Sequence, residues 1–175
     1  MGDTFKKMNK IESLSFIRYA LGKCKQKACE GIQKGENPFG ACVIIESNIV
    51  SCVHDHAISN NNPADHAEVV SIYTALKKMK VQQFGPGAIL VSTCEPCPIC
   101  VTVAQLSGIE RIYFGMSIAT GKKRGYLRYS FSSYDTAILL KSNIKIISLE
   151  NENSTESLID LWENLNGVNI SDTSI

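Results

Sequence analysis

Two short stretches carry residue types that do chemistry. His66-Ala67-Glu68 offers an imidazole and, two residues on, a carboxylate; Pro96-Cys97-Pro98-Ile99-Cys100 offers two thiols three residues apart. One imidazole and two thiolates are three of the four ligands zinc takes, and a site with three protein ligands keeps one position open for water. Two thiolates and a neutral imidazole also cancel the charge of the ion. Water at such an ion becomes ionisable near neutral pH, with a pKa of roughly 7. Glu68 is then the unspent group. It can take a proton from that water as general base and return protons to a ring nitrogen and a departing amine as general acid. The chemistry this favours is hydrolytic attack on an amidine-like ring carbon.

The spacing supports part of this set directly. Cys97 and Cys100 stand three apart at an expected helix start, so both face one way. The positive end of that helix lowers thiol pKa and favours thiolate. His66 and Glu68 also stand at a helix start, but residues two apart diverge within a helix, so their convergence is an assumption. Asp65 to Glu68 reads equally as a capping box, with Asp65 as N-cap and Glu68 at the third helical position. Cys97 and Cys100 alone would also suit a redox pair, although a thioredoxin-like motif follows the first strand and this one comes late. Cys94 could add a fourth ligand and close the site into a structural Cys₃His centre.

The elements that must position these groups follow from periodicity and turn signals. A first helix is expected from Ser13 to about Gln33, with Leu14, Ile17, Leu21, Cys24 and Ala28 on one face and Gly31 and Gly35 helping to end it. Ala41–Ile45 and Ile49–Val53 read as a hairpin turning at Glu46-Ser47-Asn48. A second helix is expected over about 65–80, a short strand over 88–92, a third helix over 98–106 stopped by Gly108, and a strand over 111–114. The stretch 117–134 reads as mixed, with a short helix and a loop. A last strand at 144–149 and an amphipathic helix at 154–165 follow, then a polar tail after Gly167. Helix, two strands, then alternating helix and strand give an α/β fold: a three-layer α/β/α sandwich around a mixed sheet.

Length and composition bound the rest. At 175 residues the chain is expected to be a single domain, with a core at about 13–149 and a C-terminal helix at about 154–166. A hydrophobic fraction of 44% is ordinary for a globular protein, and a net charge of +1 leaves no global footprint for nucleic acid. Met1 to Lys7 has no apolar signal-peptide core, and Lys6 stands where a myristoylation motif needs Ser or Thr. A cytoplasmic protein is expected. Of the seven cysteines, Cys24, Cys29, Cys42 and Cys52 show no mutual spacing with a meaning and read as small buried hydrophobes.

The two motifs together resemble the H-x-E…P-C-x-x-C zinc signature of the cytidine and deoxycytidylate deaminase superfamily. Asn37-Pro38-Phe39-Gly40-Ala41 and Thr93-Cys94-Glu95-Pro96-Cys97 are similar to its guanine deaminase and tRNA adenosine deaminase branch, leaning to the guanine deaminase-like side. The resemblance spans about 13–149 in element order and is sharp at these motifs. It implies a cytidine deaminase-like sandwich with five strands, and one zinc ion per chain on His66, Cys97 and Cys100 with a bound water. It also implies Glu68 as proton shuttle, the Ala67 backbone and Phe39 at the substrate, and a homodimer.

One position departs from the branch. An Asn usually stands eleven residues before the ligand His and grips the ring edge; here that position is Asp55, flanked by His54 and His56. Ionised Asp only accepts, so Asp55 should prefer two N–H groups or a cationic ring. Asp65 is a second departure, where the branch has Ala. His54 and His56 fall on one face of an extended strand, and no more than one is expected to reach the site. Lys122, Lys123, Arg124 and Arg128 form a basic run that reads as a solvated face or a phosphate contact, and Tyr126, Tyr129 and Phe131 as a lid or as core. Three functions stay open. The first is a deaminase of a small amino-heterocycle, guanine deaminase-like in type and so purine-directed. The second is a tRNA adenosine deaminase. The third is a non-catalytic zinc protein using Cys94.

Overall fold

Ser13 starts the first helix: its hydroxyl oxygen accepts from the Phe16 amide at 3.3 Å, and α1 runs over Leu14–Gln33. The computed structural model describes residues 13–167, so the expectations for the N-terminal segment and for the tail after Gly167 lie outside the described residues. Ile17, Leu21, Cys24 and Ala28 are buried as the stripe requires, whereas Leu14 is exposed. The helix does not end at Gly31. A Cβ there would stand 2.8 Å from the Cβ of His54, so this glycine permits close approach of α1 to the strand that carries His54.

β1 (Gly40–Ile45) and β2 (Asn48–His54) pair antiparallel, from Gly40↔His54 to Ile45↔Asn48. The turn is two residues long. Glu46 and Ser47 both have positive φ (48° and 64°), the backbone that matches strand twist in a two-residue hairpin, and Asn48 already belongs to the strand. Next come α2 (Ala67–Met79), β3 (Ile89–Ser92), α3 (Pro98–Leu106) and β4 (Arg111–Phe114). β5 (Lys145–Ser148) completes a five-stranded sheet of order β2-β1-β3-β4-β5. β3, β4 and β5 run parallel, because helices connect them, and β1 lies antiparallel to both neighbours.

Both faces of the sheet are covered. Ala41, Val43, Leu90 and Ile112 point to the side of α2 and α3 and join Ile72, Ala75 and Ala104. Cys42, Ile44, Ile89 and Val91 point the other way, to Ile17, Ala20 and Leu21 of α1. β3 is apolar from Ile89 to Val91 because it is buried on both sides; each such Leu or Ile contributes ~1.5–3 kcal/mol. The expected α/β/α sandwich is therefore the observed one.

The stretch 117–134 holds more helix than expected: α4 (Ile118–Lys123) and the start of α5 (Ser133–Leu139). The signal for α5 is a capping box. Ser132 Oγ accepts from Asp135 N at 3.1 Å, and Asp135 Oδ2 accepts from Ser132 N at 2.9 Å. A one-turn α6 (Glu150–Asn153) precedes the last helix, α7 (Ser157–Asn166), which begins three residues later than its sequence pattern suggested. α7 lies against α1, where Leu158 packs with Ala28 and Ile32.

Candidate active site

The N-terminal ends of α2 and α3 face each other. His66 caps α2 in extended backbone (φ −61°, ψ 151°), and Cys97 caps α3 in the same way (φ −70°, ψ 171°). His66 is thus outside the helix, which removes the objection that His66 and Glu68 must diverge. The capping-box reading of Asp65 fails for the same reason. The N-cap is His66, and Asp65 turns back to accept from Asn60 and Asn62 at 2.8 and 2.7 Å. Pro98 at the first position of α3 starts that helix with its φ already set, and Cys100 follows within its first turn.

Three ligand atoms converge. His66 Nδ1 lies 3.4 Å from Cys97 Sγ and 3.5 Å from Cys100 Sγ, and the two sulfurs are 3.6 Å apart. A tetrahedral ion with metal–sulfur bonds of ~2.3 Å and metal–nitrogen bonds of ~2.0–2.1 Å sets its S···S and N···S edges at about 3.5–3.8 Å. The donor set therefore fits zinc in both chemistry and spacing. Cys94 is not part of the group. It is buried with Met116, Ile118, Leu127 and Ile159, beneath the loop that carries Cys97.

Glu68 is buried beside the ligands. Its Oε2 lies 3.5 Å from Cys100 Sγ, while Oε1 accepts from Ser92 Oγ at 2.7 Å. Burial raises the Glu68 pKa, with the His66 charge and the Ser92 hydroxyl opposing it. The Cys97 sulfur raises His66 to about 9. Cys97 in turn is held well below the ordinary thiol range by the Cys100 thiol and by His66, against burial.

Asp55 lies close enough to His66 to act on its charge. It is fully buried; Oδ1 accepts from Asn37 Nδ2 at 2.9 Å and from Ala57 N at 3.0 Å, whereas Oδ2 is buried with no partner among the described residues. Burial raises its pKa. Asn37 passes the contact on: its Oδ1 accepts from Tyr126 Oη at 3.1 Å, and the Tyr126 ring packs edge-on against Phe39 at 5.5 Å and Trp162 at 5.2 Å. Tyr126 is thus a wall, and Tyr129 stands against Cys97. Phe131 is largely exposed. Neither His54 nor His56 joins the ligands. Their rings stack at 4.3 Å, and His54 Nε2 meets Lys34 Nζ at 3.2 Å.

Sequence reasoning missed three groups. Ser92 orients Glu68, and nothing short of the fold places a strand end over a helix start. Asn37 was visible in its motif but had no role until the Asp55 contact appeared. Glu95, in Cys94-Glu95-Pro96-Cys97, is buried and accepts from Ile118 N, Ser133 N and Ser133 Oγ, each at 2.8 Å. It thereby ties the first amides of α4 and α5 to the ligand loop, satisfying donors that helix starts leave open.

Comparison with known proteins agrees with this geometry. Residues 14–116 match the cytidine and deoxycytidylate deaminase zinc-binding region. The chain is 32% identical to a tRNA-specific adenosine deaminase of Aquifex aeolicus (strain VF5), over 71% of its own length and 77% of that protein. It is 29% identical to a guanine deaminase of Bacillus subtilis (strain 168), over 57% of its own length and 64% of that protein, a little under two thirds. A solved structure of guanine deaminase from Nitrosomonas europaea superposes with a TM-score of 0.72 at 16% identity, covering 86% of this chain and 85% of that one, and shares the fold. The chain belongs to the cytidine and deoxycytidylate deaminase family, and it is a hydrolytic deaminase.

Proposed function

We propose that this deaminase acts on a small, free amino-heterocycle, guanine deaminase-like in type, replacing a ring amine with a carbonyl and releasing ammonia. The observation that carries the reading is Asp55 Oδ2, a buried acceptor with no partner among the described residues, on a side chain close enough to His66 to act on its charge. A buried acceptor of this kind is costly unless a ligand supplies the donor. A heterocycle with an N–H edge, such as an amino-purine or amino-triazine, supplies one.

In this reading His66, Cys97 and Cys100 hold one zinc ion, which when bound supplies a Lewis acid that makes water a nucleophile at neutral pH. Glu68 accepts one proton of the attacking water and passes it to the ring nitrogen, then takes the proton of the added hydroxyl and passes it to the amine as the C–N bond breaks. Its raised pKa suits both directions of transfer. The Ala67 amide, at the first position of α2 and without an acceptor inside its own helix, faces a substrate carbonyl or ring edge. Phe39 and Tyr126 wall the ring, and Tyr129 covers the ligand side.

The reading extends to the whole protein. Residues 13–167 are taken as one deaminase domain. Seven free thiols suit the reducing cytoplasm, and no helix of the described residues is long and apolar enough to cross a membrane. Tyr73, Ile99, Leu106, Ile138 and Leu139 are exposed on the neighbouring helices α2, α3 and α5, which supports a homodimer through that face. A second reading, deamination of adenosine in tRNA, is favoured by the Aquifex aeolicus relative.

The test is an ammonia-release screen of zinc-loaded protein against guanine, adenine, cytosine, their nucleosides and amino-triazines, with Glu68→Ala as blank. Release from one compound, absent in the blank, is expected. No release from any, with inosine appearing in a tRNA substrate, would replace this reading with the second.

A further inference from the structure

Three thiols that the deaminase site does not use converge on the α1 side of the sheet. Cys24 comes from α1, Cys42 from β1 and Cys52 from β2, and their sulfurs all lie within 4.8 Å of one another. Nothing in their spacing announced this; the fold assembles them.

The three are not equivalent. Cys24 and Cys42 are fully buried, whereas Cys52 is half-buried and has access to solvent. The Cys24 thiol donates to the Val91 carbonyl at 3.4 Å, and burial pushes its pKa up, so it stays protonated and occupied. Cys52 is pushed the other way by its contacts with Cys24 and Cys42, against burial. Lys27, itself paired with Glu30 at 2.6 Å, adds to this. Cys42 and Cys52 are also register partners across the β1–β2 pair. Facing residues of antiparallel strands have Cα atoms ~4.5–5.5 Å apart, within the ~4.4–6.8 Å that a disulfide spans.

We propose that Cys52 is a peroxide-reactive thiol and Cys42 its resolving partner, a redox modification site separate from the deaminase centre. The Cys52 thiolate attacks one oxygen of hydrogen peroxide and the O–O bond breaks. Sulfur is oxidised to sulfenic acid, and the hydroxide that leaves takes up a proton as water. The Cys42 sulfur then attacks the sulfenyl sulfur, the S–O bond breaks, and the departing hydroxyl leaves as water with the Cys42 proton. Two thiols and one peroxide give one disulfide and two waters. A disulfide fits this place better than a metal ion. Three thiolates around a divalent ion would leave a net negative charge beside Ile44, Ile89 and Val91, whereas the disulfide is neutral.

The test uses the zinc-loaded full chain, treated with hydrogen peroxide and mapped by mass spectrometry without reduction. A Cys42–Cys52 cross-linked peptide is expected, distinct from any product at Cys97 or Cys100. Cys52→Ser should lose that peptide and slow peroxide-dependent loss of thiols outside the zinc site by about tenfold or more. With dimedone present, Cys42→Ala should accumulate the adduct on Cys52. Absence of both the cross-link and a dimedone adduct at Cys52 in the unaltered chain would overturn the proposal, whether or not the variants fold. So would a second zinc equivalent that disappears in Cys52→Ser, which would make the cluster a metal site.

Discussion

Ser92 Oγ donates to Glu68 Oε1 at 2.7 Å, joining the last residue of β3 to the first turn of α2 with both side chains buried. The bond fixes the carboxyl so that its other oxygen stays beside Cys100. It also favours the ionised form and partly offsets the burial that raises the Glu68 pKa. Ser92→Ala should therefore move the acid limb of kcat/KM to higher pH and lower kcat at neutral pH by about ten- to a hundredfold through loss of orientation. A pH profile superposable on that of the unaltered enzyme would show that Ser92 has only a packing role.

Asp55 gives a prediction with two independent readouts. Burial raises its pKa, so its folded state favours the protonated form. Stability from this group is fully present below the unfolded value and is lost as pH rises through the folded one. At neutral pH the buried charge costs stability, and Asp55→Asn should melt higher than the unaltered protein, the difference vanishing in acid. The same substitution replaces an acceptor-only oxygen with a group that also donates. KM of the native substrate should rise by about ten- to a hundredfold, and the rise in KM on acidification should disappear. Thermal melts and KM across pH check the two effects separately.

Local pattern carried most of the fold into view, and the reasons for the exceptions are physical. α3 and β4 match their expected bounds because Pro98 and Gly108 punctuate them and their residues are mostly apolar. The cluster of His66, Cys97 and Cys100 and the neighbouring Glu68 are legible because each is a reactive type at a fixed offset. α5 and α6 are not, since Ser133 to Leu139 holds its helix by a capping box and by Glu95 rather than by an amphipathic stripe. Cys24, Cys42 and Cys52 look like separate hydrophobes in the sequence because their meeting depends on strand register and on the seat of α1 over β1. Long-range contacts of this kind leave no periodic trace in sequence.

That seat of α1 is set by Gly40. A Cβ on Gly40 would stand 2.2 Å from the Cys24 carbonyl oxygen, a backbone atom that cannot swing aside. Gly40→Ala must push α1 off β1 or bend the strand end that leads from Phe39. The expected cost is about 2–4 kcal/mol, or roughly 5–15 °C in melting temperature for a chain of this size. Gly85→Ala, where a Cβ meets nothing within 4 Å, serves as the control and should melt within a degree or two of the unaltered protein.

The basic run divides in the structure. Arg124 is half-buried and bound to α7 through Glu156 at 3.2 Å, Asp160 at 2.6 Å and Glu163 at 2.9 Å, so it holds α4 to α7 and is not available to a phosphate. Arg124→Met should destabilise by about 1 kcal/mol at low salt and by less at high salt, as partly exposed pairs do. Lys122, Lys123 and Arg128 are exposed. Replacing these three with Glu should leave kcat/KM for a free base unchanged and flat with ionic strength. On an RNA substrate each lost phosphate contact would weaken binding and reduce the salt slope by about one. Parallel assays of the triple variant on free base and on tRNA, across salt, therefore separate the two substrate readings, and a loss confined to tRNA would decide for the second.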